Sequence, residues 1–261
     1  MSAKAASEGR GTVLLAFGAN LLIAIAKTAA GVVTLSSSLL AEAAHSWADT
    51  LNQVFLLTSL RKAAQPADSA HPFGYGKERF FWTLLAAVGI FVTGAGFSIF
   101  QGVHSLFSTS KEPDAAEFYL TYAVLGVALL LEGTSLLRAL KQVNAEAEQR
   151  GRTFLTHLRR SNDPTVKAVA SEDSAAVIGI LLATLGIALH QATGAAVYDG
   201  AASIVIGVLL AWIAYALGRD TKDLLIGEAA DPELRLDIQH TVAQHPEVDA
   251  VLELLTTCSS P

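Results

Sequence analysis

A single cysteine, Cys258, is all the thiol chemistry in the chain. No intrachain disulfide and no cysteine-based metal cage can form, so any metal chemistry must use His, Asp and Glu. Charge is scarce as well. Asp, Glu, Lys and Arg make up 16% of the residues, against about 25% in soluble domains, while 52% are hydrophobic; this is the balance of a membrane protein. A net charge of -6 leaves no basic surface for nucleic acid, and neither a zinc-finger nor a basic-helix pattern offsets that, so nucleic acid is excluded as a partner. The start of the chain lacks the marks of a cleavable leader. Residues 1–11 are small, polar and weakly basic, and the apolar run behind them is too long for a signal-peptide core and has no clear cleavage site, so the first span is expected to be retained.

Long apolar runs are what the chain has instead. At about 20 apolar residues per crossing, six spans are expected, at 12–34, 39–60, 80–107, 118–140, 166–190 and 196–217. The expected fold class is all-α membrane, with six transmembrane helices in a domain covering 1–218. Apart from Lys27, inside the first span, and Lys111, in an outer loop, the lysines and arginines lie in or beside the two tails and the connections between spans two and three and spans four and five. The positive-inside rule then places both termini in the cytoplasm. The outer connections are short, which forces antiparallel neighbours. The inner connection 141–163 is long and charged and reads as a solvated loop, closed by Asp163-Pro164 as N-cap and first helical residue of the fifth span.

From Arg219 the chain turns polar. An amphipathic helix is expected over 233–244, followed by His245-Pro-Glu-Val-Asp-Ala-Val-Leu-Glu-Leu-Leu, which alternates like a strand. About forty residues bury little core of their own, so 219–261 is read as a short, truncated α+β cytoplasmic domain. His240 and His245 in it read as surface residues.

The chemistry sits in Glu42-Ala-Ala-His45-Ser-Trp-Ala-Asp49-Thr-Leu-Asn52-Gln53. His45 and Asp49 are four residues apart, so on a helix both lie on one face with Cβ atoms about 5–6 Å apart, a chelating geometry. Each costs roughly 2.5–3.5 kcal/mol at mid-bilayer on insertion scales, which demands compensation. Asp49, ten residues from the outer start of its helix, is expected about 15 Å deep, and Asp173, nine residues beyond Pro164, about 13 Å from the inner side. Antiparallel packing brings the two together near the midplane, with His45 one turn outward. Imidazole plus carboxylate without thiolate suits a divalent first-row cation, zinc above all; a metal-free proton relay is the other reading of such a carboxylate pair. Glu172 lies about 100° around the helix from Asp173, so it joins the site only through rotation or a bridging water. Asn20, Asn52 and Gln53 read as interhelical hydrogen-bond donors or as the lining of a path. Lys27 is expected to snorkel or to pair with a carboxylate such as Glu42, Glu132 to serve either an ion pathway or a structural pair, and Asp199 to reach interfacial water or charge a cation entrance.

His45-Ser-Trp-Ala-Asp49, preceded by Ser36-Ser-Ser-Leu-Leu-Ala-Glu-Ala-Ala and followed by Asp68-Ser-Ala-His71-Pro-Phe-Gly-Tyr-Gly-Lys77-Glu, resembles the cation diffusion facilitator family of metal-proton antiporters. The resemblance extends to Asp173 with Gly179 six residues on, to Asp199, and to Gly227-Glu-Ala-Ala-Asp-Pro. It implies a homodimer of six-helix protomers with a cytoplasmic metal-sensing domain of ferredoxin-like shape, and it implies His45, Asp49 and Asp173 as transport ligands. Where family members place a His or Asp four residues before the fifth-helix aspartate, this chain has Val169, which cannot bind metal and leaves Glu172 as the remaining carboxylate. A second family site in the inner loop resembles Asp68 and His71, with Tyr75 at the place of a third ligand; the other reading of that loop is a structural turn.

The expected activity is export of divalent cations, Zn2+ foremost with Mn2+, Fe2+ or Co2+ possible, by proton-coupled alternating access. Imidazole and carboxylates must shed protons to bind metal, and His45 titrates near working pH. The metal is cargo, no prosthetic group is implied, and no covalent chemistry is needed, so no enzyme is expected. The expected partners are metal ions, protons, the lipid bilayer and a second copy of the chain. The expected location is an integral, multi-pass position in a bacterial inner (plasma) membrane. The alternative is a non-transporting membrane metal sensor. An intramembrane hydrolase would need a nucleophile or a His-Glu-x-x-His motif, and the chain has neither.

Overall fold

The structure, a computed structural model, describes residues 3–107, 114–149, 151, 153, 164–230 and 232–257, with side chains described from residue 17 on except at 149, 164–170 and 233. The helices are α1 (Ala3–Thr34), α2 (Ser37–Ala63), α3 (Glu78–Gly89), a π-helical stretch (Ile90–Gly96) leading directly into α4 (Phe97–Phe107), α5 (Ala115–Gln149), α6 (Pro164–Thr193), α7 (Val197–Ile226) and α8 (Pro232–Ala243). Among the described residues five segments are long and apolar enough to cross a membrane: Phe17–Thr34, Glu78–Phe107, Ala115–Glu148, Ser171–Thr193 and Val197–Ile226. Their large apolar side chains face outward, as at Leu22, Phe100, Leu130 and Trp212, each more than 60% exposed. Apolar surface of that extent suits lipid rather than water.

The expected second span is helical throughout, since α2 covers 37–63, but it is not among those five. Glu42, His45, Asp49, Asn52 and Gln53 lower its hydropathy. They are tolerated because α2 is the central helix, packed against α1, α3, the π-helical stretch, α4, α6 and α7. Its small residues Ala41, Ala44 and Ala48 are buried and let those neighbours approach. Ionisable groups in a membrane bundle are kept from lipid in this way.

The N-terminus of α2 is fixed by a residue distant in sequence. Ser36 caps the helix, its Oγ accepting from Leu39 N at 3.2 Å. Asp199 of α7 accepts from Ser36 Oγ at 3.0 Å, from Ser37 N at 2.5 Å and Ser38 N at 3.3 Å, and from Ser38 Oγ. A carboxylate at a helix N-terminus meets both the orphan amides and the positive end of the dipole. Asp199 thus caps α2 and is 3% exposed, rather than open to interfacial water, one of the two roles its sequence position suggested. Leu35, at φ 52°, allows α1 to reverse into α2 within two residues.

The α4 and α7 backbones meet closely. A Cβ at Gly102 would stand 2.6 Å from the Gly200 carbonyl oxygen, and one at Gly207 would stand 2.9 Å from the Ile99 nitrogen; Ser203 Oγ donates across the seam to the Ser98 carbonyl at 2.8 Å. Small residues and interhelical hydrogen bonds replace the hydrophobic effect as the glue between helices in lipid.

Several helices run beyond the expected spans, α1 beginning already at Ala3, and two extensions are informative. α5 continues to Gln149, into the stretch read as a solvated loop. Gln142 to Glu146 and Asn144 to Glu148 bond at one-turn spacing, which supports the added turns, and Val143 and Ala147 are buried. α7 runs through residue 218 to Ile226 and ends on Gly227 in the left-handed conformation, φ 115°; glycine takes this without a Cβ penalty. The Asp163 N-cap lies outside the described residues, as do Lys111, Cys258 and the side chain of Val169. In the tail, α8 forms with Pro232 at its first turn. The alternating segment after His245 forms no strand among the described residues, and no second segment there offers the ladder that a strand requires.

Candidate metal site

The chelating pair forms on α2 as the helical period requires. His45 is 1% exposed, and its Nδ1 lies 3.6 Å from Asp49 Oδ1. That distance is too long for a hydrogen bond. Both ring nitrogens of His45 and Asp49 Oδ1 are buried without a hydrogen-bond partner among the described residues. Buried polar atoms are nearly always paired, so unpaired ones call for a partner such as an ion or a water.

The two acidic residues of α6 point different ways. Asp173 Oδ2 accepts from Ser135 Oγ of α5 at 2.9 Å. Glu172 takes Asn52 Nδ2 of α2 on both carboxylate oxygens, at 2.7 and 2.6 Å. Asn52 lies one turn beyond Asp49, so Glu172 reaches the α2 side and Asp173 the α5 side, as their separation around the helix dictates. Among the described residues no group of three His, Asp or Glu side chains stands in metal-holding arrangement. His45 and Asp49 are brought together, whereas Asp173 is held by Ser135 of α5.

A second buried cluster sits against this site. Lys27 of α1, fully buried, donates to Glu42 Oε2 of α2 at 3.0 Å, to Ser46 Oγ at 3.0 Å and to Glu132 Oε1 of α5 at 2.8 Å. The ammonium has three protons, and all three are used. Sequence reasoning foresaw the Glu42 partner and left Glu132 open between two roles. It missed Ser46 and Ser135, whose hydroxyls carry no pattern distinguishing them from ordinary helical serines. It noted Gly179 without a reason. The reason is steric: a Cβ there would collide with Glu42 Oε1, so glycine makes the space in which Glu42 turns toward Lys27. Five carboxyl groups, on the buried Glu42 and the partly buried Asp49, Glu132, Glu172 and Asp173, thus line this part of the bundle with Lys27 and His45. Uncompensated charge in so dry a place is prohibitive, so protons or a cation must make up the balance.

The inner loop behaves differently. Asp68 Oδ1 accepts from Ala70 N at 2.9 Å and His71 N at 2.7 Å, and Tyr75 donates its hydroxyl to Asp68 Oδ2 at 2.8 Å. His71 stacks on Tyr75 with ring centroids 4.3 Å apart, and its Nδ1 lies 3.5 Å from Asp68. The Tyr75 hydroxyl and then the His71 amide hold the Asp68 carboxyl below its usual range, and the same Tyr75–Asp68 bond raises the phenol. Both side chains of the Asp68–His71 pair are about half exposed. His240 and His245 are exposed, as expected, with His240 against Gln244.

Long apolar helices that wrap a polar central helix and enclose ionisable groups define a multi-pass membrane protein. The chain belongs to the cation efflux family, the cation diffusion facilitators: residues 13–226 match the cation efflux transmembrane domain. It is 37% identical over 232 residues to metal tolerance protein C4 of Arabidopsis thaliana, covering 88% of this chain and 49% of that protein. It is 32% identical over 246 residues to the mitochondrial proton-coupled zinc antiporter of Homo sapiens, covering 94% of this chain and 43% of that protein. The manganese efflux system protein of Bacillus subtilis is 23% identical over 259 residues, 96% of this chain and 80% of its own length. The chain therefore spans less than half the length of the plant and human relatives.

Proposed function

We propose that the chain exports divalent transition-metal cations, Zn2+ foremost, with Mn2+, Fe2+ or Co2+ as alternative cargo, in exchange for protons moving inward. What carries this reading is the His45–Asp49 pair, one turn apart on the central helix with buried, unpartnered nitrogen and oxygen atoms. The names of the zinc and manganese relatives support the cargo class, and that of the human one supports proton coupling. In this proposal α2 is the sixth crossing, both termini are cytoplasmic, and two copies form a homodimer in a bacterial inner membrane. The division into a transmembrane domain, 1–218, and a partial, ferredoxin-like cytoplasmic domain, 219–261, belongs to the same proposal, with α7 running across the boundary.

His45, Asp49 and Asp173 are the proposed transport ligands, with Glu172 as a carboxylate released from Asn52 when the site loads. Asp68 and His71 are the proposed weaker inner-loop site. Metal and protons compete for the same imidazole and carboxylate atoms, so a site facing the more acidic side releases metal and one facing the cytoplasm binds it. His45, whose ordinary pKa lies near neutrality, is the natural proton carrier.

Reconstitution of the purified chain into vesicles containing a zinc-sensitive dye, under an imposed pH gradient, tests this. Gradient-dependent flux that disappears in Asp49→Ala and in Asp173→Ala is the expected result. Flux at the wild-type rate in either variant rejects the ligand assignment. A second reading, a metal sensor that does not transport, draws on the absence of a three-ligand cluster among the described residues; metal binding by the wild-type chain without gradient-driven flux would select it.

A further inference from the structure

We infer that Lys27 is the positioning residue of the transport site, joining its two halves through the hydrogen bonds of one buried ammonium. The inference rests on the ligand assignment proposed above and extends it to the first helix, which contributes no ligand. The geometry is specific to this role. Toward α2, Lys27 holds Ser46, the residue after His45, and Glu42, one turn before His45. Toward α5, it holds Glu132, one turn before Ser135, and Ser135 in turn holds Asp173. Hydrogen bonds of 2.8 to 3.0 Å, joined by steps of up to one helical turn along α2 and α5, therefore lead from Glu42 and Ser46, beside His45, through Lys27 to Asp173. It is the only path of this kind described between the α2 and α6 ligands on the α5 side; Asn52 to Glu172 joins α2 to α6 directly on the other.

The chemistry favours a lysine for this position. A divalent cation entering between His45, Asp49 and Asp173 needs their separation fixed within a few tenths of an ångström, and ligands are oriented by the hydrogen-bonded residues behind them. Lysine presents three donors from one point, so a single side chain of α1 can hold both α2 and α5. Its charge also offsets part of the negative charge of Glu42 and Glu132. Gly179 completes the arrangement, because a Cβ there would overlap the carboxylate end of Glu42.

The test is Co2+ binding to the purified chain in detergent, read from the d–d absorption bands, which report the number and geometry of ligands. Lys27→Gln weakens Co2+ binding by about 10–100-fold, the range for residues that orient metal ligands, and changes the band shape. Lys27→Gln leaves two carboxylates without their cation, a cost to folding, so the second variant is Lys27→Met combined with Glu42→Gln and Glu132→Gln, in which no buried charge in the cluster lacks its partner. The same weakening and the same spectral change are expected of it. A folded variant of either kind with wild-type affinity and wild-type bands overturns the inference, since a lysine that only holds helices together would alter stability and leave the bound spectrum unchanged. Asp49→Ala is measured alongside. If it also leaves Co2+ binding untouched, the ligand assignment fails and the inference falls with it; if it abolishes binding while the Lys27 variants bind normally, the inference alone is wrong.

Discussion

Gly179→Ala adds one methyl group to the interior of α6, and the structure says where that methyl would go. It would overlap Glu42 Oε1, an atom of a fully buried side chain that is anchored by Lys27 at 3.0 Å. Two outcomes bound the cost. If Glu42 and α6 shift slightly and the ion pair survives, the penalty is that of overpacking, about 1–3 kcal/mol. If Glu42 is driven off Lys27, the penalty is that of breaking a buried pair, about 3–5 kcal/mol. The overlap is with the charged end of the side chain and the ammonium already uses all its donors, so the larger range is expected. Thermal unfolding of the detergent-solubilised chain measures it. Gly126→Ala and Gly133→Ala, on α5, serve as controls because nothing lies within 4 Å of a Cβ at either place. There alanine should be neutral or stabilising by up to about 1 kcal/mol through helix propensity. Glu42→Asp, one methylene shorter, should recover part of the loss when combined with Gly179→Ala. A Gly179→Ala chain as stable as the two controls would show that the interior yields at this point, and the steric reasoning for Gly179, and for how Glu42 is held, would fail.

Asp199→Ala removes the acceptor for the two amides and two hydroxyls at the start of α2. Bonds to a buried charge are worth about 1.5–3 kcal/mol, so a loss of at least that size is expected in the same unfolding assay, with Asp199→Asn in between; an unchanged midpoint for the alanine variant would refute the cap. Tyr75→Phe removes the first cause of the low Asp68 pKa. Because the folded carboxyl lies below its unfolded value of about 3.9, the loop's bonds to Asp68 are fully present above that value and are lost as pH falls through the lower folded one. In Tyr75→Phe the Asp68 midpoint, followed by carboxyl NMR shifts, should therefore rise and amide protection at Ala70 and His71 should fail at a higher pH; a midpoint equal to wild type contradicts the assigned bond.

What could be read in the sequence was what depends on period and composition. Apolar runs marked six spans, of which five are, among the described residues, helices long and apolar enough to cross a bilayer, and the four-residue spacing put His45 and Asp49 on one face, because helical geometry is local. The family resemblance rested on residues adjacent in the chain, from Ser36 to Asp49 and from Asp68 to Lys77. Helix ends were less legible. α5 and α7 each run on into polar sequence, since helix continuation there depends on one-turn polar pairs and on the burial of Val143, Ala147 and Leu224, not on apolar composition.

Tertiary structure alone decided which polar residues became partners. No spacing links Lys27 to Glu132 or Asp199 to Ser36, since 105 and 163 residues separate them. Each is a single side chain, without a repeat to betray it, that finds its partner only when helices from opposite ends of the chain pack. The same holds for Asp173, which depth alone placed opposite Asp49 and which packing gave to Ser135. In a dry interior every charge must be answered by whatever group the fold brings within reach. The sequence could say that these charges needed partners, and only the packing of α1 and α7 on α2, and of α5 on α1 and α6, supplied them.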